Sequence, residues 1–146
     1  MKRMKNEQGF TLIEMLFVLF IVMCLTSIVT RISMKVIETK EIERFFTQLE
    51  LDIQFIQMQS MQQREVVSIK FEAPTNRYII KKDFYTIDYE RPFPKNVEFL
   101  SGSSTFFTII YNANGNVSRA GTLYFNTSDG LRKVIITLGA GRVRVE

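Results

Sequence analysis

Two groups of side chains in this 146-residue chain have the types and spacing to do chemistry. The first is Glu14, in Gly9-Phe10-Thr11-Leu12-Ile13-Glu14, preceded by Lys2, Arg3 and Lys5 and followed by mostly apolar residues out to Thr30. A carboxylate inside a membrane-length apolar segment costs about 2.5 to 3.5 kcal/mol at a helix centre and less near an end, so it invites a cationic partner. The second is Gly141-Arg142-Val143-Arg144-Val145-Glu146. Extended, it sends Val143 and Val145 to one face and Arg142 and Arg144 to the other, roughly 6.8 Å apart, where each guanidinium could take a phosphate of a nucleic-acid backbone. On the residues alone the stronger reading is an edge strand whose arginines stay solvated or pair with Glu146.

Other chemistry is poorly supplied. With no histidine and a lone Cys24 inside the apolar run, neither a zinc site nor a Cys/His nucleophile can be assembled, and no intramolecular disulfide can form. No cofactor and no enzymatic activity are expected. Glu41/Glu43 and Asp88/Glu90 read as solvated surface. Gly139-Ala140-Gly141 lacks the third glycine of a nucleotide fingerprint and reads as a bend. Asn116-Val117-Ser118 and Asn126-Thr127-Ser128 read as turn residues.

The element that must hold Glu14 is set by length. Met15 to Thr30 alone would rise only about 24 Å as a helix, short of a hydrocarbon core of roughly 30 Å, so a span draws in Phe10 to Ile13 and encloses Glu14. A secretory signal peptide would end in small residues, where this chain has Val22-Met23-Cys24-Leu25. A lipoprotein signal would want a small residue where Met23 stands. A plain single-pass anchor fits the length but leaves Gly9 and Glu14 without a purpose. Lys2, Arg3 and Lys5 before the span are matched by Arg31, Lys35, Lys40 and Arg44 after it, so the positive-inside count does not decide orientation.

The order of these residues resembles the class III signal of type IV pilins and pseudopilins. The resemblance implies a leader, residues 1–9, cut after Gly9 by a prepilin peptidase. Phe10 would become the methylated amino terminus and Glu14 the fifth mature residue, within a transmembrane and assembly helix over 10–30. Cleavage would leave a cationic amine on Phe10 that Glu14 of the same or a neighbouring subunit could neutralise. An inside leader and an outside body likewise come from the resemblance. The leader carries three basic residues and one acidic, so its loss takes the formal charge from +4 to +2, which is poor evidence for nucleic acid.

Beyond the span, Ile42, Phe46, Leu49, Ile53 and Ile56 recur at alternating spacings of four and three, with Glu43, Thr47, Glu50, Gln54 and Gln57 one residue on. The spacing predicts an amphipathic helix over 31–64 that continues the first, packed on its own sheet, with Phe45 and Phe55 widening the apolar stripe. From residue 65 the period becomes two: Val67, Ile69 and Phe71 alternate with Ser68, Lys70 and Glu72. Further strands are expected at 77–82, 85–89, 97–100, 106–111, 122–126 and 131–138. They are separated by Ala73-Pro74-Thr75-Asn76, Pro92 and Pro94, Ser101-Gly102, Asn114-Gly115, Asp129-Gly130 and Gly139-Ala140-Gly141. The fold class is α+β: one long N-terminal helix on an antiparallel β domain, residues 65–146, as in type IV pilins.

Asn112 to Leu123 and Leu138 to Val143 resemble minor pseudopilins of the GspH and FimT type, and length and leader together resemble the minor pilins of Gram-positive competence pili. That resemblance implies a membrane subunit exposed at the cell surface after assembly. Its partners would be other pilin subunits, the prepilin peptidase, the membrane and extracellular DNA. Some FimT-type proteins bind DNA through a terminal Gly-Arg-x-Arg element, which Gly141, Arg142 and Arg144 match. The alternative within the same resemblance is a type II secretion pseudopilin that moves protein.

Overall fold

The computed structural model describes residues 11–82, 86–139 and 141–146, with side chains at all of these except 29–33. Gly9 and Phe10, and with them the leader cleavage, lie outside the described residues. The chain divides into two compact units, Met1–Ile37 and Glu38–Glu146, and the helix α1, Leu12–Gln63, contributes to both.

In the first unit α1 begins on a capping motif. The Thr11 hydroxyl accepts the Glu14 N–H at 3.3 Å, and the Thr11 carbonyl accepts the Met15 N–H at 3.2 Å. Thr11-x-x-Glu14 thus has the spacing of a capping box, and its acid lies in the first turn, at the positive end of the helix dipole. From Leu12 to Ile28 every side chain is exposed. The helix is apolar on all sides there, interrupted only by Glu14, Cys24, Thr26 and Ser27.

In the second unit the expected stripe is the core face of α1. Ile42, Phe46, Leu49, Ile53 and Ile56 are each at most 5% exposed, and Phe45 is buried beside them. Phe55 is not: it is 43% exposed and points away with Leu51 and Met58. Spacing explains the correction, since Leu51, Phe55 and Met58 follow one another at four and three on a second face.

Among the described residues eight strands follow, β1 Val67–Glu72, β2 Arg77–Lys82, β3 Thr86–Pro92, β4 Val97–Phe99, β5 Thr108–Tyr111, β6 Gly121–Thr127, β7 Gly130–Ile136 and β8 Val143–Val145. All pairings are antiparallel, but they make two four-stranded sheets, in orders β3-β2-β1-β5 and β4-β6-β7-β8. Alternation sets the inner faces: Val67, Ile69 and Phe71 on β1, Leu123 and Phe125 on β6, and Val134 and Ile136 on β7 are all buried. Phe125 is the hub: its ring lies 5.4–6.2 Å from those of Phe45, Phe46, Phe71, Phe93 and Phe99. Such offset and edge-on ring pairs add to area burial.

The Asn114-Gly115 turn uses the expected chemistry. Gly115 has φ 75, and a Cβ there would meet Met61 Cγ at 2.5 Å, so the Asn114-Gly115 turn lies directly against α1. Gln57 secures it by donating to the Gly115 carbonyl at 2.9 Å. Exceptions are Pro92, which pairs with Arg77 at the end of β3, Val117, which bridges to Tyr111, and Asn126-Thr127-Ser128, whose first two residues lie in β6 while the turn falls at Ser128 and Asp129. Thr127 is buried and donates to the Gly130 carbonyl, which draws it into the strand.

Candidate functional site

Glu14 and the two arginines occupy separate units and are treated in turn. Glu14 is the acidic residue of the first turn of α1. Around it Leu12, Ile13, Met15, Leu16, Phe17 and Val18 are 50–80% exposed. That much apolar surface is unstable in water and requires a bilayer or neighbouring helices as cover. Among the described residues no helix is long and apolar enough to cross a membrane. The described apolar side chains from Leu12 to Ile28 rise about 24 Å against a core of about 30 Å.

The C-terminal element is an edge strand. Among the described residues β8 pairs only with β7, matching Val134 with Val145, Ile135 with Arg144 and Ile136 with Val143. Val143 and Val145 are half-buried against the core while Arg142 and Arg144 are exposed, as alternation requires. Arg144 pairs with Glu146 at 3.2 Å while remaining 75% exposed, so the contact is weakly held. Register also brings a cation that sequence reasoning missed. Lys133 exchanges both backbone hydrogen bonds with Glu146, at 2.7 and 2.8 Å, and stands opposite Tyr124 on β6. Opposed residues share a face, so Lys133 and Tyr124 lie on the face that carries Arg144. Only strand pairing, not spacing, could have revealed it.

Gly141 is positioned by its neighbour in the other sheet. Its φ is 59, a Cβ there would lie 2.6 Å from the Tyr111 hydroxyl oxygen, and that hydroxyl donates to the Gly141 carbonyl at 3.0 Å. Burial pushes the Tyr111 phenol up to about 12. The glycine therefore admits a hydrogen bond that ties β5 to the entrance of β8.

A second missed feature is Asp52, a carboxylate only 4% exposed in the helix–sheet interior. It accepts from the Tyr78 hydroxyl on β2 at 2.5 Å, Arg91 Nε on β3 at 2.8 Å and Gln48 Nε2 at 2.8 Å. Arg91 also lies 5.3 Å over the Tyr89 ring. Burial, reinforced by the hydrogen bond to Asp52, drives the Tyr78 phenol well above its ordinary value, and burial with the Asp52 charge takes Tyr89 to about 12. The signal was present in the spacing: Phe45, Leu49, Asp52 and Ile56 step by four, three and four, placing an acid on the buried arc. The cluster joins α1, β2 and β3 by charge-assisted bonds.

Residues 4–30 match the prokaryotic N-terminal methylation motif. The fold is that of type IV pilins. Specifically, it is similar to the type IV minor pilin FimU of Pseudomonas aeruginosa with a TM-score of 0.59 at 18% identity, over 75% of this chain and 90% of that one. Comparison with curated proteins returns no match.

Proposed function

We propose that the chain is a minor pilin, a structural subunit and not an enzyme, which belongs to a competence pilus and is most like ComGD. The observation that carries this reading is an all-round apolar helix start, Leu12 to Ile28 exposed on every side with one acid in its first turn, within a methylation motif. Before processing, the segment from Phe10 to Thr30 would span the membrane with the body outside. After a prepilin peptidase cuts at Gly9, the same surface would be covered by neighbouring subunits. Glu14 would meet the new amine of Phe10 there, because a misaligned neighbour leaves a buried carboxylate unpaired.

The capping geometry at Thr11 sharpens the test. Glutamine preserves a capping box and removes the charge, whereas alanine removes both. With each variant as sole copy, Glu14→Ala and Glu14→Gln are both expected to be processed normally and to lose pilus assembly and transformation. Wild-type transformation in Glu14→Gln would reduce Glu14 to a helix cap, and wild-type transformation in Glu14→Ala would remove any role for it. A type II secretion pseudopilin would have the same segment, and the neighbouring genes distinguish the two systems.

A second reading is favoured by the cationic face of β7 and β8. Arg142 and Arg144, joined by Lys133, would contact DNA on the assembled pilus. Titration of the chain from Arg31 onward with duplex DNA at two salt concentrations is expected to show salt-sensitive binding lost in the Arg142→Ala, Arg144→Ala double variant. Binding unchanged in that variant would exclude the element.

A further inference from the structure

The sheet formed by β3, β2, β1 and β5 has two edges, and they differ. β3 carries Asp88, Glu90, Arg91 and Pro92 and is interrupted by a register shift opposite Ile80 and Lys81, all devices that prevent a further strand from pairing. β5, Thr-Ile-Ile-Tyr, has none of them. Its outer edge is only partly covered: the Ile110 carbonyl takes the Ser118 N–H at 2.8 Å and the Asn112 N–H goes to the Asn116 carbonyl at 3.0 Å. Phe107 and Ile109 direct their backbone toward β1, as the Phe71 N–H to Phe107 carbonyl bond at 2.8 Å and the pairing of Ile109 with Ile69 require. The N–H and carbonyl of Thr108 and the N–H of Ile110 therefore face outward, and they have no partner among the described residues.

These groups open onto a groove of about 450 Å³ lined by Phe106, Phe107, Thr108, Ile110, Ser118 and Arg119. Phe107 is 59% exposed. Arg119 is exposed and has no ion-pair partner among the described residues. Backbone donors and acceptor in a row, apolar walls and one cation together specify an occupant.

We propose that this groove takes an extended segment of another polypeptide, added as a strand to β5, with apolar side chains against Phe106 and Phe107 and a carboxylate against Arg119. Main-chain bonds to Thr108 and Ile110 would supply affinity, and the walls and the cation would supply selection. A second copy of this chain is a poor occupant. Two β5 edges paired across a two-fold axis would add a second Arg119 and no carboxylate, since residues 105–119 contain no Asp or Glu, and β3 is guarded.

The test uses the isotope-labelled full chain in detergent micelles with two synthetic peptides, Ac-VTVDVTV-NH2 and Ac-VTVKVTV-NH2. The acidic peptide is expected to slow amide exchange at Thr108 and Ile110 by about ten-fold and to bind about five-fold tighter than the basic one. Arg119→Glu is expected to reverse that preference. Thr108→Pro removes the central donor and is expected to abolish binding. Because proline could also disturb β5, Phe107→Ala is the second variant, expected to weaken the acidic peptide about ten-fold with the remaining amide spectrum unchanged. No change in exchange at Thr108 and Ile110 with either peptide overturns the proposal, as does equal affinity for both peptides that Arg119→Glu leaves unaltered. Protection that rises with protein concentration in the absence of peptide would assign the edge to a second copy and overturn the stated partner.

Discussion

Replacing Asp52 by alanine removes the acceptor for three donors, and their burial ranks the losses. Tyr78 is 1% exposed, so its hydroxyl is left without a partner and without water, at about 1–3 kcal/mol. Arg91 is 45% exposed; its guanidinium turns to solvent and forfeits about 1 kcal/mol at most. With the Gln48 bond added, Asp52→Ala is expected to cost about 3 kcal/mol. Double-mutant cycles separate the contributions. Tyr78→Phe in the Asp52→Ala background removes the stranded hydroxyl, so the coupling between Asp52 and Tyr78 is expected at about 1.5–3 kcal/mol, against less than about 1 for Asp52 and Arg91. Equilibrium urea unfolding of the body, followed by far-ultraviolet circular dichroism, measures all four corners of each cycle. A larger coupling for Arg91 than for Tyr78 would refute the argument that burial of the partner, rather than its charge, weights this cluster.

Gly141→Ala places a methyl group against the Tyr111 hydroxyl in a backbone conformation that L residues adopt at about 1–2 kcal/mol. It is expected to destabilise the body by about 2–3 kcal/mol and to accelerate amide exchange in β8 ahead of β6; equal acceleration in both strands would contradict the local role of the Tyr111 bond. Alkaline pH tests the buried Tyr111 and the half-buried Tyr89. Tyr89 and Tyr111 titrate near 12 when folded and near the ordinary value of about 10 when unfolded. The folded state therefore binds more protons in that interval, and stability is expected to fall as pH rises from about 10 to 12. Absorbance titration at the phenolate band against urea midpoints at each pH checks the sign.

Much of the architecture is legible because it is periodic. Ile42, Phe46, Leu49, Ile53 and Ile56 declare a helix face by spacing alone, and Val67, Ile69 and Phe71 a strand face. Phe55 misleads because its type suggests burial while its angular position puts it on the exposed face with Leu51 and Met58. Asp52 is hidden for the opposite reason: its position announces burial, while its type suggests solvent until Tyr78 and Arg91 arrive from distant strands. The division into two sheets was beyond local pattern, since nothing in Val97 to Phe99 says that it pairs with β6 and not with β5. Of the candidate sites, the outward face of Arg142 and Arg144 is legible from alternation, whereas that of Lys133 needs the register of β7. Glu14 is legible by the cost of its charge, whereas its place in a helix cap comes only from the Thr11 hydroxyl that accepts its N–H.

The two sheets are interleaved along the chain: β4 is made before β5, yet β5 completes the first sheet and β4 belongs to the second. For a chain that emerges amino terminus first, the order of appearance differs from the order of pairing. The β1–β3 meander can zip locally, but Phe99 must wait about 25 residues for Phe125, its register partner. At synthesis rates of about 5–20 residues per second that interval is roughly 1–5 s. Throughout it Val97 and Phe99 present unpaired apolar surface, whereas the open side of β1 is covered as soon as β5 emerges about midway, so the exposed strand between β4 and β6 is the one that calls for a chaperone's protection.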